Sequence, residues 1–205
     1  MSVDIIIGTF GDESWKNKGE ELLLDVQKNV YDINNVYAVH GKTLAEARNE
    51  GAERSSSQYL IFLDADDNLS SNYVIEMKKV AQWYPVPAIF QPSTIGVYED
   101  GTTDKEPVLI PDRNMFHGNN LVIGSMVVRS DFLDVGGFKE LPILEDWELF
   151  LNIITSKEAK VVTVPKAVYR VGVRQNSRNT DARLHNSVYG DIVREYSKKK
   201  VEYRI

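Results

Sequence analysis

Short unbroken apolar runs along this chain alternate with apolar positions at helical spacing, the pattern of an α/β protein. Val3 to Ile7 is apolar and β-branched and predicts a central parallel strand. Glu20 to Val30 carries Leu23, Val26, Gln27 and Val30 on one helical face, and Val36 to Val39 predicts a second strand. Thr43 followed by Glu46 is a capping box. The helix it opens puts Leu44, Ala47, Arg48, Gly51 and Ala52 on one side, mostly small residues that let it lie close to a sheet. Tyr59 to Leu63 is a continuous apolar run, which reads as a strand buried on both faces.

In the second half the pattern loosens. Asn72 to Tyr84 repeats Tyr73, Met77, Val80 and Tyr84 on one face and predicts a core-covering helix ending before Pro85. Ala88 to Phe90 is a short strand, and Ser93 to Asn120 lacks periodicity and predicts a long loop or small hairpin. Gly124 to Arg129 predicts a strand, and Ser130 to Val135 a short helical turn closed by Gly136-Gly137. After Pro142, Trp147, Phe150, Leu151 and Ile154 share a helical face. Lys160 to Val164 and Ala167 to Val171 predict two closing strands, and Leu184 to Lys198 a terminal helix.

At 205 residues this is one domain with one substantial core. With no cysteine, disulfide frameworks and thiolate chemistry are excluded. No run approaches a membrane span and the N-terminus lacks signal-peptide features, so the cytoplasm is the expected location. The net charge of −6 is uneven: residues 160–205 hold eleven Lys or Arg against four Asp or Glu, which leaves −13 for the rest. Such asymmetry can mark contact with a polyanion, although the overall acidity argues against DNA as a partner.

The chemistry concentrates at two places. Asp64, Asp66 and Asp67 crowd the carboxyl end of the Tyr59–Leu63 strand, where ligands bind in open α/β sheets. Such carboxylates repel unless a cation or donors sit among them, and a hard divalent cation on Asp66, with Asp64 alongside, would relieve them. The alternative is a solvated turn capping a helix from Ser70 or Ser71. Arg48, charged among packing residues, needs a nucleotide phosphate or base, or else one of these aspartates. Glu145 and Asp146 open the post-Pro142 helix, where an acid can be a plain dipole cap or a general base. Arg170, Arg174, Arg178 and Arg183 lie in or beside a Gly, Asn and Ser-rich segment, suited to a leaving diphosphate or simply to solvent. Lys198-Lys199-Lys200 reads as exposed tail.

ARNEGAERSSSQYLIFLDADD resembles the ARNxGxxxAxGxYxxFLDxDD stretch of the family 2 glycosyltransferases. GSMVVRSDFLDVGGFKE and Glu145-Asp146-Trp147-Glu148-Leu149 resemble that family's GGFDE and EDxEL segments. The resemblance implies a GT-A-like three-layer α/β fold with a mainly parallel central sheet. Residues 1–92 would form the nucleotide-binding half and 93–205 the acceptor and catalytic half. It further implies inverting transfer from a nucleotide-sugar donor, a UDP-sugar, with Mn²⁺ or Mg²⁺ as cofactor. Asp66 would hold the metal, Asp64 the ribose or metal shell, and Asp146 would be the base oriented by Glu145 or Glu148. Thr9, Phe10, Gly11 and Arg48 would contact the nucleotide, and Arg170 and Arg174 the diphosphate.

Three departures from the family stand out. Gly8 and Gly11 replace the family's Pro and Asn around Thr9 and Phe10, and Val171 stands where many members carry a metal-binding His. A βα unit after the second strand is compressed, and His40 stands where a base-contacting acid is expected. The acceptor is open: saccharide, protein, lipid carrier or modified nucleic acid. The rival readings are a haloacid-dehalogenase-type phosphatase, whose DxD also follows a strand, and a nucleotide-sugar-binding protein without turnover.

Overall fold

The computed structural model describes residues 1–109, 115–174 and 182–199. Arg178 and Lys200 therefore lie outside the described residues, as does the side chain of Arg183. The chain begins with strand β1 (Val3–Phe10), helix α1 (Glu13–Asn29), β2 (Asn35–Gly41), α2 (Leu44–Arg54) and β3 (Tyr59–Asp64). A two-residue strand β4 (Asn68–Leu69), α3 (Tyr73–Ala81), β5 (Ala88–Tyr98) and a 3₁₀ turn at Met115–His117 follow. It ends with β6 (Met126–Val128), α4 (Arg129–Asp134), α5 (Glu145–Lys157), β7 (Lys160–Val173) and α6 (Ala182–Lys199).

The strands form one seven-stranded sheet in the order β2-β1-β3-β6-β5-β7-β4. β2, β1, β3, β5 and β7 run the same way, while β6 and β4 oppose them, so the sheet is mainly parallel. Unbroken apolar strands such as β3 are buried because helices cover the sheet. α2 owes its close approach to a glycine: a Cβ on Gly51 would lie 2.3 Å from Ile6 Cγ2. Its capping box forms with a shift of one residue. Thr43 Oγ1 accepts from the Glu46 amide at 3.1 Å, and the Glu46 carboxylate accepts from the Lys42 amide at 2.7 Å.

Several elements depart from the apolar pattern for identifiable reasons. α1 starts at Glu13 because Asp12 caps it, accepting from the Ser14 amide at 3.0 Å. Its first turns are polar, so no apolar period announced them. Its buried face is Gly19, Leu22 and Val26, whereas Gln27 is exposed. β5 runs to Tyr98 instead of Phe90 and folds back through bridges from Val97 to Thr103 and from Thr94 to Val108, so part of the expected loop is a hairpin. β7 is one strand and not two; a register shift opposite Pro92 and Ser93 absorbs the Pro165 interruption. The helix predicted to reach Tyr84 ends at Ala81. The strand predicted from Gly124 begins at Met126.

Candidate functional site

The parallel strands end side by side, with Gly8 opposite Asp64, Thr9 opposite His40 and Phe10 opposite Gly41. Asp64 closes β3, and its carbonyl accepts from the Asp67 amide at 3.0 Å in a tight turn. β7 clamps that turn. Tyr169 donates its hydroxyl to Asp67 Oδ2 at 2.7 Å and the Gly172 amide donates to Oδ1 at 2.7 Å. A Cβ on Gly172 would lie 2.4 Å from the Asp66 carbonyl oxygen, so only glycine permits this approach. Burial, with Asp64 close by, pushes the Asp67 carboxyl well above its ordinary value. Asp66 moves the same way for the same two reasons, opposed by Arg174 at 3.2 Å.

Arg48 is buried, 2% exposed, and joins the two halves of the site. Its Nη2 donates to Asp64 Oδ1 at 2.5 Å and its Nη1 to Glu145 Oε1 at 3.0 Å. The guanidinium carbon lies 4.9 Å from the centroid of the Phe138 ring. Burial opposes its charge, but Asp64 and Glu145 outweigh it and hold the group more firmly protonated. Gly8 makes room for it, since a Cβ there would lie 2.7 Å from Arg48 Cγ. The aspartate weighed as a partner for Arg48 is thus Asp64, and Glu145 joins it.

α5 brings the second acid pair to the same edge. It has no side-chain cap, its N-cap being Leu144 at φ 62°. Asp146 lies inside the first turn, where Oδ1 accepts from the Trp147 amide at 2.7 Å and Oδ2 from Asn119 Nδ2 at 2.9 Å. Burial, then Glu145, pushes its carboxyl up to about 6, while these hydrogen bonds and Arg48 pull against the rise. Trp147 anchors the turn by donating Nε1–H to the Met115 carbonyl at 2.7 Å and stacking on Tyr189. Glu148, by contrast, is turned into the protein toward Tyr196 and Lys139.

These residues frame adjoining cavities. One, of about 250 Å³, is lined at once by Arg48, Asp64, Asp67, Asn119, Glu145 and Asp146. A second, of about 290 Å³, is bordered by Asp66, Asp67, Arg170 and Arg174. A third, of about 340 Å³, has Phe10, Lys42 and Glu145 on its walls. Thr9 is buried with its hydroxyl 3.0 Å from Nδ1 of exposed His40, so those two meet each other. Gly11, at φ 94°, is an exposed turn residue outside all three cavities. Asn119 and Gly172 escaped the sequence reading. Asn119 falls in the stretch without periodicity, and Gly172 matters only through a contact with a residue about a hundred positions away.

Among the described residues no three His, Asp or Glu side chains converge as a metal cluster. Asp67 has both oxygens engaged by Tyr169 and Gly172. Of the three carboxylates in this turn, Asp64 and Asp66 are therefore the two a cation could draw on. Two neighbouring carboxylates, with a diphosphate to complete an all-oxygen shell, are a donor set that fits Mg²⁺ or Mn²⁺.

The family model for glycosyl transferase family 2 matches residues 10–133. The chain belongs to glycosyltransferase family 2. This glycosyltransferase carries Arg48 and the Asp64 to Asp67 turn inside the matched span and Asp146 beyond it. Its fold is similar to that of S. aureus TarS residues 1–349 in complex with UDP-GlcNAc. The TM-score is 0.63 at 13% identity, covering 99% of this chain and 73% of the other. The same fragment in complex with UDP gives 0.64 at 13% identity, over 99% and 72%. A longer S. aureus TarS structure gives 0.63 at 12%, of which this chain spans 44%. No curated protein matches the sequence. Among the described residues no helix is long and apolar enough to cross a membrane.

Proposed function

We propose that this glycosyltransferase moves a sugar, with inversion, from a UDP-sugar to an acceptor hydroxyl, and that Asp146 is the general base. The observation that carries the reading is a single cavity lined by both Asp64 and Asp146, with Arg48 tied to the Asp64 side and to Glu145. Asp146 takes the hydroxyl proton as the acceptor oxygen bonds to the anomeric carbon, and the bond to the diphosphate oxygen breaks with its electron pair. A carboxyl near pH 6 is largely ionised at neutral pH yet basic enough to accept that proton. Asn119 and the Trp147 amide fix its orientation, and Glu145 holds Arg48 beside it.

On the donor side, Asp64 and Asp66 would hold Mn²⁺ or Mg²⁺, which when bound supplies positive charge to the leaving diphosphate. Arg170 and Arg174 line the cavity shared with Asp66, which supports them as the side chains that grip the phosphates. Phe10, Gly11, Thr9 and His40 at the ends of β1 and β2 form the nucleoside side. The UDP and UDP-GlcNAc complexes of the similarly folded TarS support UDP as the nucleotide.

The test is nucleotide release from a panel of UDP- and GDP-sugars with and without Mn²⁺, in native protein and in Asp66→Ala and Asp146→Ala. Metal-dependent release of one nucleotide, lost in both variants, is the expected result. Binding without release in any acceptor mixture supports a protein that holds nucleotide-sugars without turnover. Absence of both overturns the reading.

A further inference from the structure

Each carboxylate of the Asp64 to Asp67 turn has its own compensation. Asp64 has Arg48, and Asp67 has Tyr169 and the Gly172 amide. Asp66 has Arg174, whose Nη2 lies 3.2 Å from Oδ2. The first two arrangements are fixed in the interior: Arg48 is sealed under Phe138, and Tyr169 is fully buried. The third is open. Arg174 is 33% exposed, and its guanidinium rests 5.2 Å from the centroid of the Trp15 ring. The ammonium of Lys18 is 4.3 Å from the same ring, so Trp15 is a platform for cations beside Asp66.

We propose that Arg174 is the resident cation of the donor site: in the free protein its guanidinium stands beside Asp66 where a divalent cation would bind, and it exchanges Asp66 for the diphosphate when the donor arrives. The inference rests on the metal-dependent reading above. A guanidinium and a dication repel each other at one carboxylate, so Arg174 opposes metal binding to the free protein. The diphosphate reverses the sign, because a forked guanidinium finds in it a better partner than a single carboxylate oxygen. Metal and nucleotide then favour one another's binding, and by reciprocity each raises the affinity of the other by the same factor. Arg170, exposed on β7 just before Arg174, borders the same cavity, and among the described residues the ion pair to Asp66 is made by Arg174.

Mn²⁺ titrations followed by the electron paramagnetic resonance of the free ion test this without any turnover, using the full chain with and without UDP or GDP. Without nucleotide, Arg174→Ala should bind Mn²⁺ roughly three- to tenfold more tightly than the native protein, the size of a partly exposed charge interaction. With UDP present the order should reverse, Arg174→Ala binding nucleotide and metal about tenfold more weakly. Arg174→Lys, which keeps the charge, should stay close to the native protein in the first titration. If Arg174→Ala gains nothing in nucleotide-free Mn²⁺ affinity, the resident-cation role is wrong. Asp66→Asn separates that failure from failure of the metal reading. UDP-dependent Mn²⁺ binding lost in Asp66→Asn keeps the metal reading whatever Arg174 does, and no Mn²⁺ binding by the native protein with either nucleotide overturns both.

Discussion

Asp66 and Asp146 are the same residue type at adjoining cavities, and their surroundings treat them differently. Asp66 faces a cation, Arg174, and belongs to a turn in which every carboxylate has its own partner. Asp146 receives hydrogen bonds from an amide side chain and a backbone N–H, and its closest acid is Glu145. The first environment also weakens the acid, through burial and Asp64, but sets a cation against it, which suits the proposed diphosphate and cation site. The second raises the carboxyl to about 6 and aims hydrogen-bond donors at it, which suits the proposed base. Arg48 lies between them and serves both.

The comparison breaks most severely at Asp146. Asp146→Asn keeps the shape and removes the proposed base, and transfer or donor hydrolysis should fall about 10²- to 10⁴-fold with nucleotide binding retained. The same substitution should stabilise the fold at high pH. The native state holds its Asp146 proton more tightly than the unfolded chain does, so that contribution is complete below the ordinary value of 3.8 and lost as pH rises through about 6. Melting temperatures of the two proteins should therefore coincide near pH 4 and separate by pH 8, with Asp146→Asn the higher. Equal melting temperatures at pH 8 would mean that Asp146 has an ordinary acidity.

Arg48→Ala comes next, because it strands two carboxylates in the interior. A loss of roughly 3–5 kcal/mol in urea-unfolding stability is expected. Arg48→Met, which fills the space, should lose as much if the unpaired acids dominate and clearly less if packing does. A smaller effect follows from Asn119→Ala. Without its donor Asp146 should titrate higher, so the acid limb of the rate profile, expected near pH 6, should move upward, with a rate loss at pH 6 of about fivefold. A limb that does not move would reduce Asn119 to a packing residue. The mildest probe is Tyr169→Phe, which removes one donor from Asp67 at a cost of about 1 kcal/mol.

Much of this was legible in the sequence because it is local. The capping box at Thr43, the buried run of β3 and the glycines ending α4 are read from neighbours within a few residues. The acids and Arg48 could be nominated for the same reason: a charge beside an apolar run requires an explanation. The partners were not legible. Which carboxylate Arg48 meets, that Asn119 reaches Asp146, and that Gly172 must be glycine all depend on chain segments brought together by the sheet. β5 and β7 were misjudged because proline and polar residues interrupt their apolar pattern, whereas their long mutual pairing sustains both strands.

The clamp of β7 on the Asp67 turn has a consequence for how the protein is made. The bonds that tie Arg48 to Glu145 and Asp67 to β7 join residues 97 to 105 positions apart. A nascent chain that has reached residue 133 carries the span matched by the family model but none of the strand that braces its aspartates. Closing loops of that length is slow relative to forming helices and hairpins. Bracing of the turn is thus a late event in biosynthesis, arriving only after Gly172 has emerged, and a chain cut before β7 would leave the turn unbraced.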